Sequence, residues 1–496
     1  MASRDDGVGW IVELMQGSAV RDQAPARITP DWTCPMSQPR DNWSSNVGLV
    51  LAATGSAIGL GNLWKFPFIT WENEGGAFVL VYLVCILAVG LPIMMAELLI
   101  GRRSQKSAVG ALKEATGPWW GVVGGWGVLA GFILLSYYTV IAGWSLYYFA
   151  QSLGWTFGGY PAGMAAGDLF NEQVGNAGLQ LALSLGFSVA TIAVVYFGVS
   201  KGIERIARIF LPILFGILLL LLVSALGMSG SGEAMRFIFR ANFSELEMSG
   251  VLEALGHSFF TLSIGMGAMI TYGSYISRKQ SIVKASGAIV ALDTLIALVA
   301  TVIMFSVIFS VAGMSDQVSG SPVGMLFISL PELFYTAVPF GTVLGPLFYV
   351  LVALAALTST ISLLEVVSSY VIDEHGLARH KATILCGGAI FVFTIFAALS
   401  FTGTPFLSTL EIFADKAGWF ATADHFVSNW MLPIGGFSIT LAAGWFMTRN
   451  ATERELVDGT EPGWFRYGAW RFFIRWVAPL AVGAIIVAVI LGRDFS

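Results

Sequence analysis

Charged side chains are scarce in this chain. Asp, Glu, Lys and Arg together make up 11% of its 496 residues, whereas roughly a quarter of a soluble globular protein is charged. Hydrophobic residues account for 56%, and apolar runs long enough to cross a bilayer as a helix recur along the chain. The composition therefore indicates a large membrane protein and argues against a soluble one.

Cysteine is also rare, and the motifs of common enzyme classes are missing. The three cysteines, Cys34, Cys85 and Cys386, form no CxxC pair, so we expect free thiols and neither a disulfide framework nor a cysteine metal site. The sequence contains no HExxH, no GxSxG and no glycine-rich phosphate loop. The first ~40 residues lack the apolar core of a secretory signal peptide. These absences argue against an enzyme.

Eleven apolar runs stand out when hydropathy is averaged over about 19 residues. We expect them to be transmembrane helices at residues 46–70, 76–101, 119–150, 178–199, 203–227, 250–276, 283–312, 341–373, 382–402, 424–447 and 469–492. The stretch SPVGMLFISLPELF, at 321–334, is apolar but short and bounded by proline. It predicts a re-entrant or extracellular helical loop.

The distribution of lysine and arginine predicts the orientation in the membrane. When the spans are numbered in order, 21 of the 26 Lys and Arg residues fall on segments that share a side with the N-terminus. Because such residues collect on the cytoplasmic side, we expect a multi-pass protein of the plasma (inner) membrane with a cytoplasmic N-terminus. An odd number of spans places the C-terminus outside.

Two similar tetrapeptides interrupt the first and sixth spans. IGLG at Ile58–Gly61 and IGMG at Ile264–Gly267 lie five spans apart, so the two helices run in opposite directions. Paired glycine interruptions in two inverted halves are typical of a transporter site made by broken helices. Freed carbonyls there can bind a cation, and half-helix N-termini attract an anion. The alternative is that these glycines only permit close helix packing.

Polar residues at membrane depth are the other candidates for a site. Asp293, in VALDTLIALVA, is an intramembrane acid with no basic residue nearby in sequence, and such acids are usually functional. The hydroxyl run Thr358–Ser362 could join freed carbonyls in an oxygen cage for a hard cation. A structural acid paired with another helix remains the alternative for Asp293. For Glu97 we expect a structural pair with Arg102, which follows about one turn later.

Five motifs together resemble the neurotransmitter:sodium symporter family, especially its bacterial amino-acid transporters. They are NWSSNVGLVLAATGSAIGLGNLWKFP, NEGGAF, SKGIERIARIFLP, SFFTLSIGMGAMITYGSY and LAALTSTIS. The resemblance runs from about residue 40 to the last span. It implies an all-α polytopic membrane protein with 11 transmembrane helices, a 5+5 inverted repeat and broken helices 1 and 6. The divisions would be a cytoplasmic tail (1–42), a first repeat (43–227), a second repeat (250–447) and helix 11 (469–492).

The resemblance also implies two sodium sites and a substrate pocket. The first sodium site would comprise Ala57, Asn62, Thr261 and Asp293, and the second Gly55, Ile58, Ala355, Thr358 and Ser359. The substrate would lie among Ala57, Gly59, Gly61, Leu134, Tyr138, Phe260, Ser263, Met266, Ser359 and Leu363. In the family, the tyrosine matched by Tyr138 hydrogen-bonds the substrate carboxylate.

Two positions sharpen the expected function. Gly59 stands where amine transporters of the family carry an aspartate, which leaves room for a substrate carboxylate. Asp293 stands where asparagine is common, and an acid there can replace the chloride that other members need. The resemblance thus implies sodium-coupled import of neutral hydrophobic L-amino acids by alternating access, without chloride. Alternatives are an osmolyte- or GABA-type sodium symporter and a non-transporting amino-acid receptor. The lipid bilayer is the other expected partner; we expect no nucleic acid.

The resemblance further implies a gate at each end of the pathway. Outside, Phe260 would cap the substrate and Lys65 would face Asp424. The family often has arginine at the position of Lys65, and lysine cannot make the flat bidentate pair that arginine makes. We therefore expect a looser or water-mediated outer gate. The inner gate would comprise Arg40, Trp43, Tyr275 and Asp373.

Overall fold

The molecule is built from helices. The computed structural model describes residues 41–161, 165–310, 321–336, 338–457 and 461–495. Within these ranges no strand forms, apart from one isolated bridge between Glu411 and Ala417. The predicted cytoplasmic tail lies almost entirely outside the described residues. The all-α expectation is confirmed.

Eighteen helices follow one another within the described ranges, and half of them are long and apolar. In chain order they are α1 (Asn46–Ala57), α2 (Gly61–Glu72), α3 (Gly76–Ser104), α4 (Ala108–Thr116), α5 (Pro118–Gly158), α6 (Ala166–Gly175), α7 (Ala177–Tyr196), α8 (Val199–Leu226), α9 (Ser231–Phe239), α10 (Met248–Thr261), α11 (Ala268–Gly273), α12 (Ile282–Phe309), α13 (322–336), α14 (Gly341–His375), α15 (Arg379–Leu399), α16 (Trp419–Phe446), α17 (Arg449–Leu456) and α18 (Tyr467–Ile490). The helix α13 confirms that the short apolar stretch before α14 is helical.

Nine of the described helices are long and apolar enough to cross a membrane by themselves, and α1 with α2 makes a tenth span. The predicted sixth span is not among these ten because it consists of two short helices, α10 and α11. The count of eleven spans and the inverted repeat stay predictions.

The first span is broken at its middle, as the sequence predicts. α1 ends at Ala57, the backbone of Ile58 is extended (φ −72°, ψ 91°), and α2 then leaves at an angle of 54°. α2 opens with a π-helical turn, Gly61–Lys65, and such turns often mark functional sites. The break leaves backbone groups around residue 58 without helical partners.

The sixth span is broken more widely, between α10 and α11. Gly265 and Gly267 take positive φ values of 85° and 76°, and Ser263 takes 52°. Glycine tolerates this conformation, whereas any other residue is strained. A Cβ on Gly265 would lie 2.5 Å from the carbonyl oxygen of Leu432, so the bare backbone also allows close packing on α16.

Glu97 stabilises the break in the sixth span instead of pairing with Arg102. Its Oε1 accepts a hydrogen bond from the N–H of Gly265 at 2.7 Å, while Arg102 binds Glu455 at 2.8 Å. The expected pair was wrong because residues five apart do not share a helix face, unlike those three or four apart. Glu97 therefore satisfies an N–H that the broken helix cannot.

Two long helices, α5 and α14, pack along each other and frame the centre of the molecule. α5 carries Leu134 and Tyr138, and α14 carries Thr358, Ser359 and Leu363. These residues are buried. The frame presents its polar side chains to the two broken spans.

Candidate functional site

A small cavity of about 30 Å³ lies where the two broken spans meet α5 and α14. All ten residues predicted to bind the substrate line it. They are Ala57, Gly59, Gly61, Leu134, Tyr138, Phe260, Ser263, Met266, Ser359 and Leu363. Ser56, Thr261 and Ser362 complete the lining. The structure therefore brings the predicted set together, and its role in binding stays a prediction.

Two glycines of the first span give the cavity its space. A Cβ at position 59 would lie 2.7 Å from Ser359 Oγ and 2.8 Å from Tyr138 Oη. A Cβ at position 61 would lie 2.9 Å from the ring of Phe260. Since real Cβ atoms do not approach so closely, any side chain at Gly59 or Gly61 would fill the cavity or displace its walls.

The polar end of the cavity suits an anionic group. The N–H of Leu60 donates to Tyr138 Oη at 2.9 Å, which leaves the phenolic proton available to an acceptor. α2 begins at Gly61 beside this hydroxyl, and the positive end of a helix dipole favours negative charge. A carboxylate placed here would meet a hydroxyl donor and a helix N-terminus.

A buried acid lies next to the cavity. Asp293 is fully buried; its Oδ1 accepts from Asn62 Nδ2 at 2.8 Å, and its Oδ2 accepts from Thr261 Oγ1 at 3.0 Å. No basic side chain of the described residues forms an ion pair with it. Because an uncompensated buried charge is costly, this cluster fits a cation. Ala57, the other predicted ligand, borders the same cavity.

A second cluster of oxygens joins the break of the first span to α14. Ser359 Oγ lies 3.4 Å from the carbonyl oxygen of Ile58, and Thr358 Oγ1 lies 2.9 Å from that of Ala355. A Cβ on Gly55 would be 3.2 Å from Thr358 Cβ, so α1 and α14 touch here. Carbonyl and hydroxyl oxygens are the donors that a hard cation prefers. The five predicted ligands of the second sodium site are thus neighbours.

The end predicted to face outside, called the outer end below, is closed differently from the prediction. Lys65 and Asp424 form no ion pair with each other: Lys65 Nζ donates to the carbonyl of Phe495 at 2.9 Å, and Asp424 accepts from Tyr137 Oη at 2.9 Å. Lys65 Nζ also lies 5.3 Å from the ring centroid of Phe260, the predicted cap. The predicted gate residues are present at this end, with other partners.

At the inner end, Trp43 is wedged against the sixth span. Its Nε1 donates to the carbonyl of Tyr272 at 3.0 Å, and its N–H donates to that of Tyr275 at 3.1 Å. Asp373 accepts from the N–H of Ser107 at 2.6 Å. Arg40, the remaining predicted gate residue, lies outside the described residues.

A buried acid at the inner end was not assigned a role from the sequence. Glu365 accepts from Tyr275 Oη at 2.5 Å and forms an ion pair with Arg379 at 2.8 Å. Arg379 also approaches Asp41 at 3.8 Å. An acid within an apolar span was a visible signal of a buried polar contact. The sequence did not reveal its basic partner, because Arg379 belongs to the next helix. This network ties the segment before α1 and the end of the sixth span to α14 and the start of α15.

Broken spans around a central cavity, with one cluster fit for an anion and two for cations, define a membrane transporter. Comparison with known families agrees. The model of the sodium:neurotransmitter symporter family matches residues 40–158 and 168–492. The chain belongs to this family.

Individual relatives cover almost the whole chain. An uncharacterized sodium-dependent transporter of Bacillus subtilis, YhdH, is 35% identical over 441 residues, or 89% of this chain and 95% of the relative. The crystal structure of MhsT in complex with L-phenylalanine has a TM-score of 0.82 and 38% identity, covering 91% of this chain and 100% of that one. The sodium-dependent neutral amino acid transporter B(0)AT2 of Bos taurus is 28% identical over 60% of this chain and 42% of its own. The protein is therefore a multi-pass, sodium-dependent transporter and not an enzyme.

Proposed function

We propose that this protein imports neutral hydrophobic L-amino acids, coupled to sodium, by alternating access. The observation that carries the proposal is the two-ended cavity. One end offers Tyr138 Oη and the start of α2 at Gly61 to a carboxylate. The other end is lined by Leu134, Met266 and Leu363, which offer apolar surface to a side chain.

The shape of the cavity favours an amino acid over an amine. Gly59 has no side chain, and a Cβ there would already clash with Ser359 and Tyr138. The space is therefore left to the substrate. Met266 can adapt its unbranched side chain to different apolar groups, which suits several hydrophobic substrates. The structural relative MhsT was crystallised with L-phenylalanine, which supports an aromatic or aliphatic substrate.

The two proposed sodium ions would lie at different distances from the substrate. Ala57 and Thr261 belong to the first predicted sodium site and also line the cavity, so this ion and a substrate carboxylate would be neighbours. The second site lies between α1 and α14, away from the apolar end. Each ion would join a broken span to an intact helix, which ties ion binding to the conformation of the breaks.

Chloride independence follows from the proposed role of Asp293. Its carboxylate supplies the negative charge near the first sodium, so an added anion would have no function there. A protonated Asp293 on the return step would also allow proton counter-movement. We also propose that residues 43–227 and 250–447 form two inverted halves and that the N-terminus is cytoplasmic.

A competition experiment tests the substrate class. Purified protein in sodium buffer is incubated with labelled L-phenylalanine and an excess of L-leucine, L-tryptophan, glycine or GABA. We expect leucine and tryptophan to displace the label, and glycine and GABA to fail. Displacement by GABA or glycine alone would assign the protein to the osmolyte- or GABA-type transporters instead. A matched incubation in potassium should abolish binding.

A further inference from the structure

The chain turns back on itself directly after α18. Gly492 takes φ +87°, its N–H donates to the carbonyl of Val489 at 3.0 Å, and the N–H of Arg493 donates to that of Ala488 at 2.9 Å. This pair of bonds with a left-handed glycine is a Schellman turn, which ends a helix and reverses the chain. The residues that follow, Gly492–Phe495, are called the return segment below.

Side chains of α16 and the loop before it anchor the return segment. Asp494 accepts from Asn429 Nδ2 at 2.8 Å, contacts His425 Nδ1 at 3.2 Å and forms an ion pair with Lys416. The N–H of Phe495 donates to Asn429 Oδ1 at 2.7 Å. Phe495 is only 8% exposed, so the segment is packed into the protein.

The return segment also reaches the predicted cap of the cavity. The carbonyl of Phe495 accepts from Lys65 Nζ. The same ammonium group lies over the ring of Phe260, and Phe260 lines the cavity. A continuous chain of contacts therefore runs from α16 through the return segment and Lys65 to the cap.

Lys65 depends on this contact. It is 9% exposed, and among the residues described it forms no ion pair. A buried ammonium group needs acceptors, and within the described part of the chain its one hydrogen-bond acceptor is the carbonyl of Phe495. If the segment moved away, Lys65 would lose its acceptor and the force that holds it above Phe260.

We propose that the return segment is a clasp on the outer gate: it positions Lys65 over Phe260 and slows the release of substrate to the outside. Phe495 and Asp494 act as positioning residues, since neither lines the cavity. The identity of the substrate rests on the proposed function. The clasp itself would limit the access of any solute to the cavity.

The first test measures release of labelled L-phenylalanine from the purified full-length protein in sodium buffer. Asp494→Ala and Asn429→Ala each remove charge-assisted or buried hydrogen bonds that hold the segment, so we expect release to be roughly tenfold faster. Arg493→Gln is the matched control, because this side chain lies in the same segment, is exposed and forms no hydrogen bond or ion pair with the described anchor residues. Release at the wild-type rate from both anchor variants would overturn the proposal.

A combination with Lys65→Ala separates a clasp from general loosening. If the segment acts through Lys65, Asp494→Ala should change the release rate less than about twofold in the Lys65→Ala background, because coupled changes are not additive. If Asp494→Ala speeds release by the same factor with and without Lys65→Ala, the clasp is contradicted. Thermal unfolding of each variant, unchanged within a few degrees, would show that the fold survives.

A second readout needs no substrate. Leu134→Cys, in a background without the native cysteines, places a thiol in the cavity. A membrane-impermeant maleimide should label it several-fold faster in Asn429→Ala than in the parent, and Arg493→Gln should again match the parent. Equal labelling rates would refute the clasp. Absence of sodium-dependent phenylalanine binding in the wild type would count against the proposed function alone, since the labelling still decides the clasp.

Discussion

Single atoms decide what the cavity can hold. At position 59 the glycine hydrogen fits, whereas a methyl group would lie 2.7 Å from Ser359 and 2.8 Å from Tyr138. At position 293 a buried carboxyl group lies beside Asn62 and Thr261 and forms no ion pair with a described residue. These are local properties, so single substitutions test them.

Gly59→Ala should weaken amino-acid binding more than it affects folding. Forcing a methyl group into this contact costs about 1–3 kcal/mol, which corresponds to roughly tenfold or more in dissociation constant. Equilibrium binding of labelled L-phenylalanine measures it. Gly216→Ala is the control, since a Cβ there meets nothing within 4 Å. Wild-type affinity in Gly59→Ala would show that the substrate lies elsewhere.

Asp293→Asn should convert a chloride-independent transporter into a chloride-dependent one. The amide keeps one acceptor oxygen for Asn62 or Thr261, turns the other acceptor into a donor and removes the charge that sodium needs. Uptake should therefore fall at least roughly tenfold in gluconate and recover in part in chloride. Uptake of labelled L-phenylalanine in the two anions measures this. Asp168→Asn, at an exposed acid of α6, should leave both rates unchanged. A strict chloride requirement in the wild type would contradict this account.

Among the elements, the broken sixth span has an unusual backbone at its break. Three residues of its break have positive φ, and the break is held by Glu97 at the N–H of Gly265 and by close packing on Leu432. The strain persists because neighbouring elements satisfy and enclose it. Helix α10 therefore depends on α3 and α16 for its ending.

Gly265→Ala should destabilise the protein strongly. The new Cβ would meet the Leu432 carbonyl oxygen at 2.5 Å, and alanine would be strained at φ +85°, so we expect a loss of about 2–4 kcal/mol. Thermal unfolding in detergent would report it as a lower midpoint. Gly186→Ala, in α7 with no atom within 4 Å of its Cβ, should be neutral or slightly stabilising. Equal midpoints for the two variants would refute the proposed strain.

Sequence patterns predict the elements well where side chains carry the signal. The matched tetrapeptides at Ile58–Gly61 and Ile264–Gly267 located both breaks. Glycine allows the close contacts of the first break and the positive φ values of the second. Most spans follow from hydropathy alone. The partner of Glu97 was wrong because its contact is a backbone N–H of another span, which leaves no mark on residue spacing. The clasp was invisible for the same reason, since Lys65 binds the carbonyl of Phe495.

For the whole molecule, the closures at the two ends are built from different chemistry. The inner closure joins Trp43, Tyr275 and Glu365 through direct hydrogen bonds, with Arg379 as the counter-ion. The outer closure places Lys65 over Phe260 through a backbone carbonyl. Alternating access requires that each closure opens while the other holds, so their relative strengths set the resting conformation.

Glu365→Gln should weaken the inner closure and favour the inward-open state. A neutral amide loses the ion pair with Arg379 and leaves this partly buried guanidinium with its longer contact to Asp41, at a cost of about 1–3 kcal/mol. A thiol introduced at Ser107, which donates its N–H to Asp373 at the inner end, should react faster with maleimide from the cytoplasmic side. Glu374→Gln removes a more exposed ion pair with Lys113 and should have little effect. Equal reactivity in both variants would contradict a gating role for Glu365.

The most direct test of the central claim is flux in reconstituted vesicles. Purified protein in proteoliposomes is given external labelled L-phenylalanine with an inward sodium gradient, with equal sodium on both sides, or with potassium only. The account predicts accumulation above the external concentration only with the gradient, and loss of accumulation in Gly59→Ala. Binding without accumulation under any gradient would identify a receptor and contradict sodium-coupled transport.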